Sequence, residues 1–511
     1  MTVLPALAIV ILLTAWLFSS RSRRGRLPLP PGPKGLPLIG NLLDFPAKFQ
    51  WLTFDKWHEQ YGDIVYLNLA GQSLVILGSP EATSAFFDQK SGVYSDRPRF
   101  VMVNELIGWE EFNVASYPYG NAWRELRRVF HQQYHSGVIP RYYPIFRRHA
   151  HRLLRNLLAQ PKDIEHHLLH TASAIILDTM YGIDVVDRDD PYVTIADKAM
   201  EAIVEAANPG SFLVDSFPAL KYVPSWFPGA EFQRKAIRWK ALMKDMLNKP
   251  FQVVKDGMQQ GRAMSSIAAT MLQEVSPDDE EHGEYVIKAV GAASYAAGSD
   301  TTSATTQVFA LAMAMHPEVQ ARAQAELDAV VGPNRLPDFD DRPNLPYVNA
   351  IVRELARWLP VVPLAVPHAA SEDDEVRGYF IPKGTIILGN TWSILRDPVR
   401  YPDPDQFKPE RFLTKDGKLA TDVQDPSIAA FGYGRRICPG RHFSDGSVYS
   451  LVSCMLATFS ISPPIGEDGA PIKITAEMSA GAVLRPARVD YIVKPRSDAA
   501  VELIRNTAYD A

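Results

Sequence analysis

Phe431-Gly-Tyr-Gly-Arg-Arg-Ile-Cys-Pro-Gly440 is the most informative run in this chain of 511 residues. It contains Cys438, and a thiolate is a strong, soft donor to iron. Gly434 and Gly440 carry no Cβ, so the backbone around the cysteine can pass close to a flat cofactor. Residues 441–459 read as a helix with a mostly apolar face. This predicts that a positive helix N-terminus lies near the sulfur and favours its ionised form. For the run taken alone, a structural cysteine in a tight turn is the plain alternative.

Upstream, Ala297-Gly-Ser-Asp-Thr-Thr302 falls inside a helical pattern from about residue 284 to 315, which His316-Pro317 ends. A glycine within a helix costs about 1 kcal/mol relative to alanine, so Gly298 calls for a reason. Its missing side chain would leave room over a cofactor for a small molecule such as dioxygen. The adjacent acid and hydroxyl, Asp300 and Thr301, suit the passage of protons from solvent. A polar patch on a buried, glycine-kinked helix is the other reading. Glu354 and Arg357 stand at i and i+3 on one helix face, a spacing common in weak surface pairs. Trp123 and Arg127, at i and i+4, also share a face.

Together these runs resemble the cytochromes P-450, the haem-thiolate monooxygenases. Their signature Phe-x-x-Gly-x-Arg-x-Cys-x-Gly is matched at every fixed position by Phe431, Gly434, Arg436, Cys438 and Gly440. The resemblance implies a mainly α fold with small β-sheets, and haem b bound through the Cys438 thiolate with Phe431 and Gly440 beside it. It makes residues 297–302 the oxygen-activation groove, with Gly298 beside the cofactor and Asp300 and Thr301 catalytic. It implies propionate contacts from Trp123, Arg127 and Arg436, and from His368 in Val366-Pro-His and Arg97 in Ser95-Asp-Arg-Pro98. Glu354 and Arg357, with Arg411 of Pro409-Glu-Arg-Phe412, would form the family's structural Glu–Arg–Arg triad. One departure is Leu395, where many relatives have histidine. The loop texture is similar to that of fungal members acting on secondary metabolites or xenobiotics.

Nothing marks an internal boundary after residue 37, so residues 38–511 read as one large catalytic domain. Hydrophobic residues make up 46 % of the chain, enough for a deep core, and a net charge of −5 gives no reason to invoke nucleic acid. Two cysteines, Cys438 and Cys454, argue for a reducing compartment, and Cys454 reads as a core residue. Residues 1–18 carry no charge and as a helix would span about 27 Å, close to the roughly 30 Å of a bilayer's hydrocarbon. Arg21, Arg23, Arg24 and Arg26 follow, as expected on the cytoplasmic side. A cleaved signal peptide would place basic residues ahead of the apolar core, and none stand there. Residues 1–18 therefore read as a single-pass anchor, and residues 19–37 as a basic, proline-rich hinge. By resemblance the anchor lies in the endoplasmic reticulum membrane, with the catalytic domain facing the cytoplasm.

Short strands are expected at 64–69, 73–77, 378–381, 385–389 and 480–484. His166 and His170 lie one helical turn apart, but no third ligand of suitable spacing completes a zinc site, and they read as solvated. No nicotinamide or flavin fingerprint follows a strand, so electrons come from a partner. The resemblance implies an NADPH-dependent cytochrome P-450 reductase. Arg124, Arg128, Arg435 and Arg441 offer a basic face for docking it. The substrate walls are expected at 101–114, 212–227, 293–301, 361–366 and 480–483, aliphatic and aromatic with few charges, which suits a small apolar molecule. The rival functions are a haem-thiolate isomerase or dehydratase of peroxides, whose members typically alter the acid–threonine pair, and a non-catalytic haem binder, which would leave Asp300 and Thr301 unexplained.

Overall fold

The computed structural model of the protein describes residues 27–207 and 211–508. The expected anchor at residues 1–18 lies outside them. No helix among the described residues is long and apolar enough to cross a membrane.

Helices dominate, as the periodicity predicts. Those that build the site are α1 (Gln50–Tyr61), α2 (Asn121–Tyr134), α3 (Tyr143–Ala159), α4 (Ile164–Tyr181), α5 (Pro191–Ala207), α6 (Glu231–Gln259), α7 (Glu280–Met315), α8 (Pro317–Val330), α9 (Pro346–Trp358) and α10 (Arg441–Thr458). The longest, α7, has 36 residues and is apolar around most of its circumference, the pattern of a helix enclosed by others. Its main neighbour is α4, and α10 crosses both α3 and α7. Pro317 ends α7 by forcing His316 out of helical geometry, to φ −126° and ψ 70°.

The strands are β1 (Ile64–Leu69), β2 (Gln72–Leu77), β3 (His368–Ala369), β4 (Asp374–Val376), β5 (Tyr379–Ile381), β6 (Ile386–Gly389), β7 (Phe459–Ser462) and β8 (Ile492–Pro495). One sheet runs β1-β2-β6-β3, and β4-β5 and β7-β8 form two-stranded ladders. Ala70 and Gly71 both have positive φ, 50° and 99°, the geometry a two-residue hairpin turn between β1 and β2 requires.

The described part of the proline-rich hinge lies against β1 of the four-stranded sheet and β5 of the β4-β5 ladder. The Pro28 and Pro31 carbonyls accept from the Phe380 and Tyr66 amides at 2.8 Å each. A Cβ on Gly32 would stand 2.0 Å from the Tyr66 carbonyl oxygen, so glycine allows that approach.

Two strand expectations change. Residues 480–484 form a turn, and the C-terminal ladder pairs β7 with β8 instead. Phe459, read from sequence as the last residue of a helix, begins β7 with φ −122° and ψ 153°.

Candidate functional site

The cysteine loop is held by its own backbone and by one aromatic stack. The Cys438 amide donates to the Phe431 carbonyl at 2.7 Å, and those of Arg436 and Ile437 donate to Tyr433 and Gly434 at 3.1 and 3.2 Å. Gly434 has φ +52°, and a Cβ there would fall 2.1 Å from the Phe87 carbonyl oxygen, so both conformation and space demand glycine. Tyr433 stacks on Phe87 at 5.3 Å and shares a 2.9 Å hydrogen bond with Thr391. Sequence reasoning missed Phe87 and Tyr433, because their role is packing and no motif spacing marks it.

Cys438 is a free cysteine and is half-buried. Burial pushes the thiol up from its usual range, against the Gly440 amide, Arg127 and Arg441, which pull it down. Burial and these three partners therefore pull the sulfur in opposite directions. A metal cation at the sulfur is the partner that would hold a thiolate there.

Beside the loop lies a concentration of buried positive charge. Arg436 donates to the carbonyls of Ser95, Val114 and Tyr117 at 2.8, 3.2 and 2.7 Å, and its guanidinium carbon stands 4.5 Å from the Trp123 ring. Arg97 donates to Ala115, Val366 and Pro367 carbonyls at 2.7, 3.0 and 2.7 Å. His368, on β3, uses Nδ1 on the Tyr94 carbonyl at 2.7 Å. Burial holds Arg97 well below its usual range, with Arg436 adding to the effect. Burial likewise lowers His368, with Arg97 next. Asp96 opposes, but its carboxylate already accepts from the Arg97 and Tyr119 amides at 2.9 Å each. Among the described residues neither Arg97 nor Arg436 has a carboxylate in an ion pair. A buried cation and a half-buried one, Arg436 and Arg97, fixed by carbonyls alone, call for an anionic partner. A thiol sulfur next to such a set fits haem: one soft donor for iron, and cations for two propionates.

Asp300 is buried on α7, and Thr301 is half-buried with Oγ1 donating to the Ala297 carbonyl at 2.8 Å. Asp300 accepts from Arg485, a partner no sequence signal indicated, since it lies 185 residues away in an irregular turn. A Cβ on Gly298 would stand 2.6 Å from Cδ1 of Ile176 on α4, so packing between α4 and α7 by itself gives a reason for the glycine.

The Glu–Arg–Arg expectation is met in position, but its setting is the core. Arg357 forks onto Glu354 with two 2.7 Å bonds, and both side chains are fully buried. Arg411 donates to the Glu354 carboxylate at 3.2 Å, and the Lys408 amide donates to the same carboxylate at 2.8 Å. Arg357 also donates to Leu395, Pro404 and Gln406 carbonyls at 3.1, 2.9 and 3.0 Å, tying the irregular chain to α9.

Of the expected substrate walls, 101–114 is well buried, with Val101, Met102 and Ile107 inaccessible. The segment 212–227 differs: Phe217, Tyr222 and Trp226 are 62 %, 78 % and 78 % exposed, so these side chains turn outward. Arg124, Arg128 and Arg435 are exposed and Arg441 half-buried, and none makes an ion pair among the described residues. Arg124 and Arg435 lie over the Tyr119 ring at 5.1 and 5.5 Å. His170, expected to be solvated, is buried and bonds the Val186 carbonyl at 2.7 Å.

The sequence model of the family "Cytochrome P-450" matches residues 30–493. The chain is similar to the cytochrome P-450 monooxygenase COX2 of Coprinopsis cinerea, with 46 % identity over 94 % of this chain and 91 % of the relative. It is also similar to a tryptamine 4-monooxygenase of Psilocybe cyanescens, with 41 % identity over 96 % of this chain and 98 % of the relative.

Proposed function

The chain belongs to the cytochrome P-450 family and is a monooxygenase, and from that premise we propose that it inserts one oxygen atom of O2 into a small apolar molecule. The substrate class is a secondary metabolite such as a terpenoid, or a steroid or polycyclic aromatic xenobiotic. Electrons come from NADPH through a cytochrome P-450 reductase docked on Arg124, Arg128, Arg435 and Arg441, at an endoplasmic reticulum membrane that the N-terminal anchor crosses.

The observation that carries the reading is the buried cation set beside the Cys438 thiol. In this reading the Cys438 thiolate would hold the haem iron, and Phe431 and Gly440 shape the loop around it. Arg97, Arg436 and His368, with Trp123 and Arg127, hold the two propionates. Bound haem supplies the redox chemistry of oxygen insertion. Thr301 Oγ1 and the Asp300 carboxylate hold and pass protons at the haem site, and the apolar residues of 101–114 exclude bulk water.

Cys438→Ala is expected to abolish the long-wavelength Soret band that thiolate-ligated haem gives when reduced under carbon monoxide. Cys454→Ala should leave it intact, because that thiol is buried in α10 and pushed up to about 12. Persistence of the band in Cys438→Ala would overturn the ligand assignment. Substrate class is tested by product analysis with a reductase on a panel of terpenoids, steroids and polycyclic aromatics. Tryptamine belongs in the panel, since one relative bears the name tryptamine 4-monooxygenase.

A further inference from the structure

The wall at 101–114 carries one buried amide that the protein leaves without a partner. Among the described residues the buried side-chain amides are those of Asn41, Asn104, Asn113, Gln320, Asn349 and Asn390. Five of these are hydrogen-bonded. Asn41 donates to the Pro33 carbonyl at 3.0 Å, Gln320 to that of Ile461 at 3.0 Å, Asn349 to that of Leu345 at 2.9 Å and Asn390 to that of Trp51 at 3.2 Å. Asn113 accepts from the Ala115 amide at 2.8 Å. Asn104, only 6 % exposed, makes no side-chain hydrogen bond among the described residues.

Its neighbours in the chain offer no polar side chain in exchange for water. Val101, Met102 and Ile107 are inaccessible, and Val103 is buried. An amide in such company has lost solvent and gained nothing, which native folds rarely leave unmatched. The hydroxyls of Ser173, Thr179 and Tyr181 also lack partners, but those atoms are sealed off, whereas the Asn104 amide atoms are not, so a molecule from solvent can reach them. The backbone beneath the side chain is fixed. Val101–Leu106 is a π-helical turn, a rare geometry that often marks functional sites. The Asn104 backbone N–H donates to the Phe100 carbonyl at 2.8 Å, and the Met102 backbone N–H donates to the Asp215 carboxylate at 2.9 Å. At the other end of the wall, Arg436 and Arg97 hold the Val114 and Ala115 carbonyls at 3.2 and 2.7 Å, which fixes the segment beside the cysteine loop.

An asparagine side chain offers an N–H donor and a carbonyl acceptor side by side. A hydroxyl is the smallest group that uses both, because its oxygen accepts while its proton is donated. A ketone would leave the Asn104 oxygen unpaired, and an ammonium group or an indole N–H would leave the nitrogen unpaired. We propose that Asn104 is a specificity-determining residue that binds a hydroxyl group of the substrate. The substrate is then an apolar skeleton that already carries an alcohol, and a reaction that installs this hydroxyl precedes the step performed here. The inference rests on the reading of 101–114 as a wall of the substrate site in a monooxygenase.

The test uses the full-length, haem-loaded protein and matched pairs of terpenoids and steroids, each pair an alcohol and the parent that lacks its hydroxyl. Dissociation constants are read from the change each ligand makes in the Soret band. Wild type should bind the alcohol of at least one pair about 10- to 100-fold more tightly than its parent. Asn104→Leu, similar in volume and unable to hydrogen-bond, should abolish that preference while keeping the carbon monoxide band of thiolate-ligated haem. Without ligand its Tm should equal or exceed that of wild type, because an unmatched amide has been removed. A preference that survives in Asn104→Leu, or a clear fall in its Tm without ligand, would overturn the proposal. Equal affinities within every pair, with panel members still oxidised when a reductase is present, would overturn it and leave the monooxygenase reading standing. If no member of the panel binds or is oxidised, both fall.

Discussion

A Cβ at position 298 would stand 2.6 Å from Cδ1 and 2.8 Å from Cγ1 of Ile176, closer than carbons pack without one of them moving. Alanine there gains about 1 kcal/mol of helix propensity over glycine, whereas an extra methyl in a packed interface typically costs about 1–3 kcal/mol. The second effect is larger, so Gly298→Ala is expected to lower Tm. Adding Ile176→Val, which removes Cδ1 but keeps Cγ1, should recover part of the loss. An unchanged Tm in Gly298→Ala would show that the α4–α7 interface yields. The sequence marks Gly298 as needing an explanation but does not show the Ile176 contact, because that partner lies on another helix. Arg97 and His368 went the other way. A lone arginine and a lone histidine are usually solvated, and only the convergence of residues 94–117, 366–368 and 436 in space shows that His368 is buried and Arg97 half-buried.

The unit formed by α9 and the irregular chain after Leu395 depends on one acid. Glu354 receives two bonds from Arg357, one from Arg411 and one from the Lys408 amide. Glu354→Gln would leave Arg357, fully buried, without its counter-charge. Breaking one side of such a pair costs about 3–5 kcal/mol, a loss that should appear as a lower denaturant midpoint and reduced haem content. A midpoint within error of wild type would mean the carbonyls of Leu395, Pro404 and Gln406 suffice for Arg357. The sequence carried the Glu–Arg spacing but not its burial, since i, i+3 pairs look the same on a surface and in a core. Element bounds were clear where periodicity is long. The helix expected at 284–315 is α7 at Glu280–Met315. They were lost where a ladder depends on a distant partner, as with β7, which pairs with β8 some thirty residues later.

At the scale of the whole molecule, the described surface adds an apolar contribution to the proposed membrane attachment. Leu213, Phe217, Tyr222 and Trp226 are exposed together on one short segment, the kind of cluster that inserts into an interface. Full-length protein is expected in the microsomal fraction, resistant to carbonate. Deleting residues 1–26 should release much of it, and Phe217→Ser with Trp226→Ser on that background should release most of the remainder. Full-length protein in the soluble fraction would remove the anchor from the account. The fold class and the cysteine loop were legible in the sequence because both rest on local spacing. The Arg485–Asp300 pair and the cation set were not, because their members are gathered from distant parts of the chain. Arg436 bonds carbonyls 319 to 341 residues earlier, and Arg97 bonds others 269 and 270 residues later. Synthesis delivers these partners in the wrong order for early assembly. The segment around Ser95 and Tyr117 leaves the ribosome long before Arg436 exists, and until then its aromatic residues and carbonyls have nothing to close upon. Contacts this distant form late. A chain halted just before Phe431 would contain every helix from α1 to α9, yet it would lack both the sulfur and the arginine that fastens the loop. Such a product would be a nearly complete body for chaperones and proteases to dispose of, with no means of acquiring its cofactor.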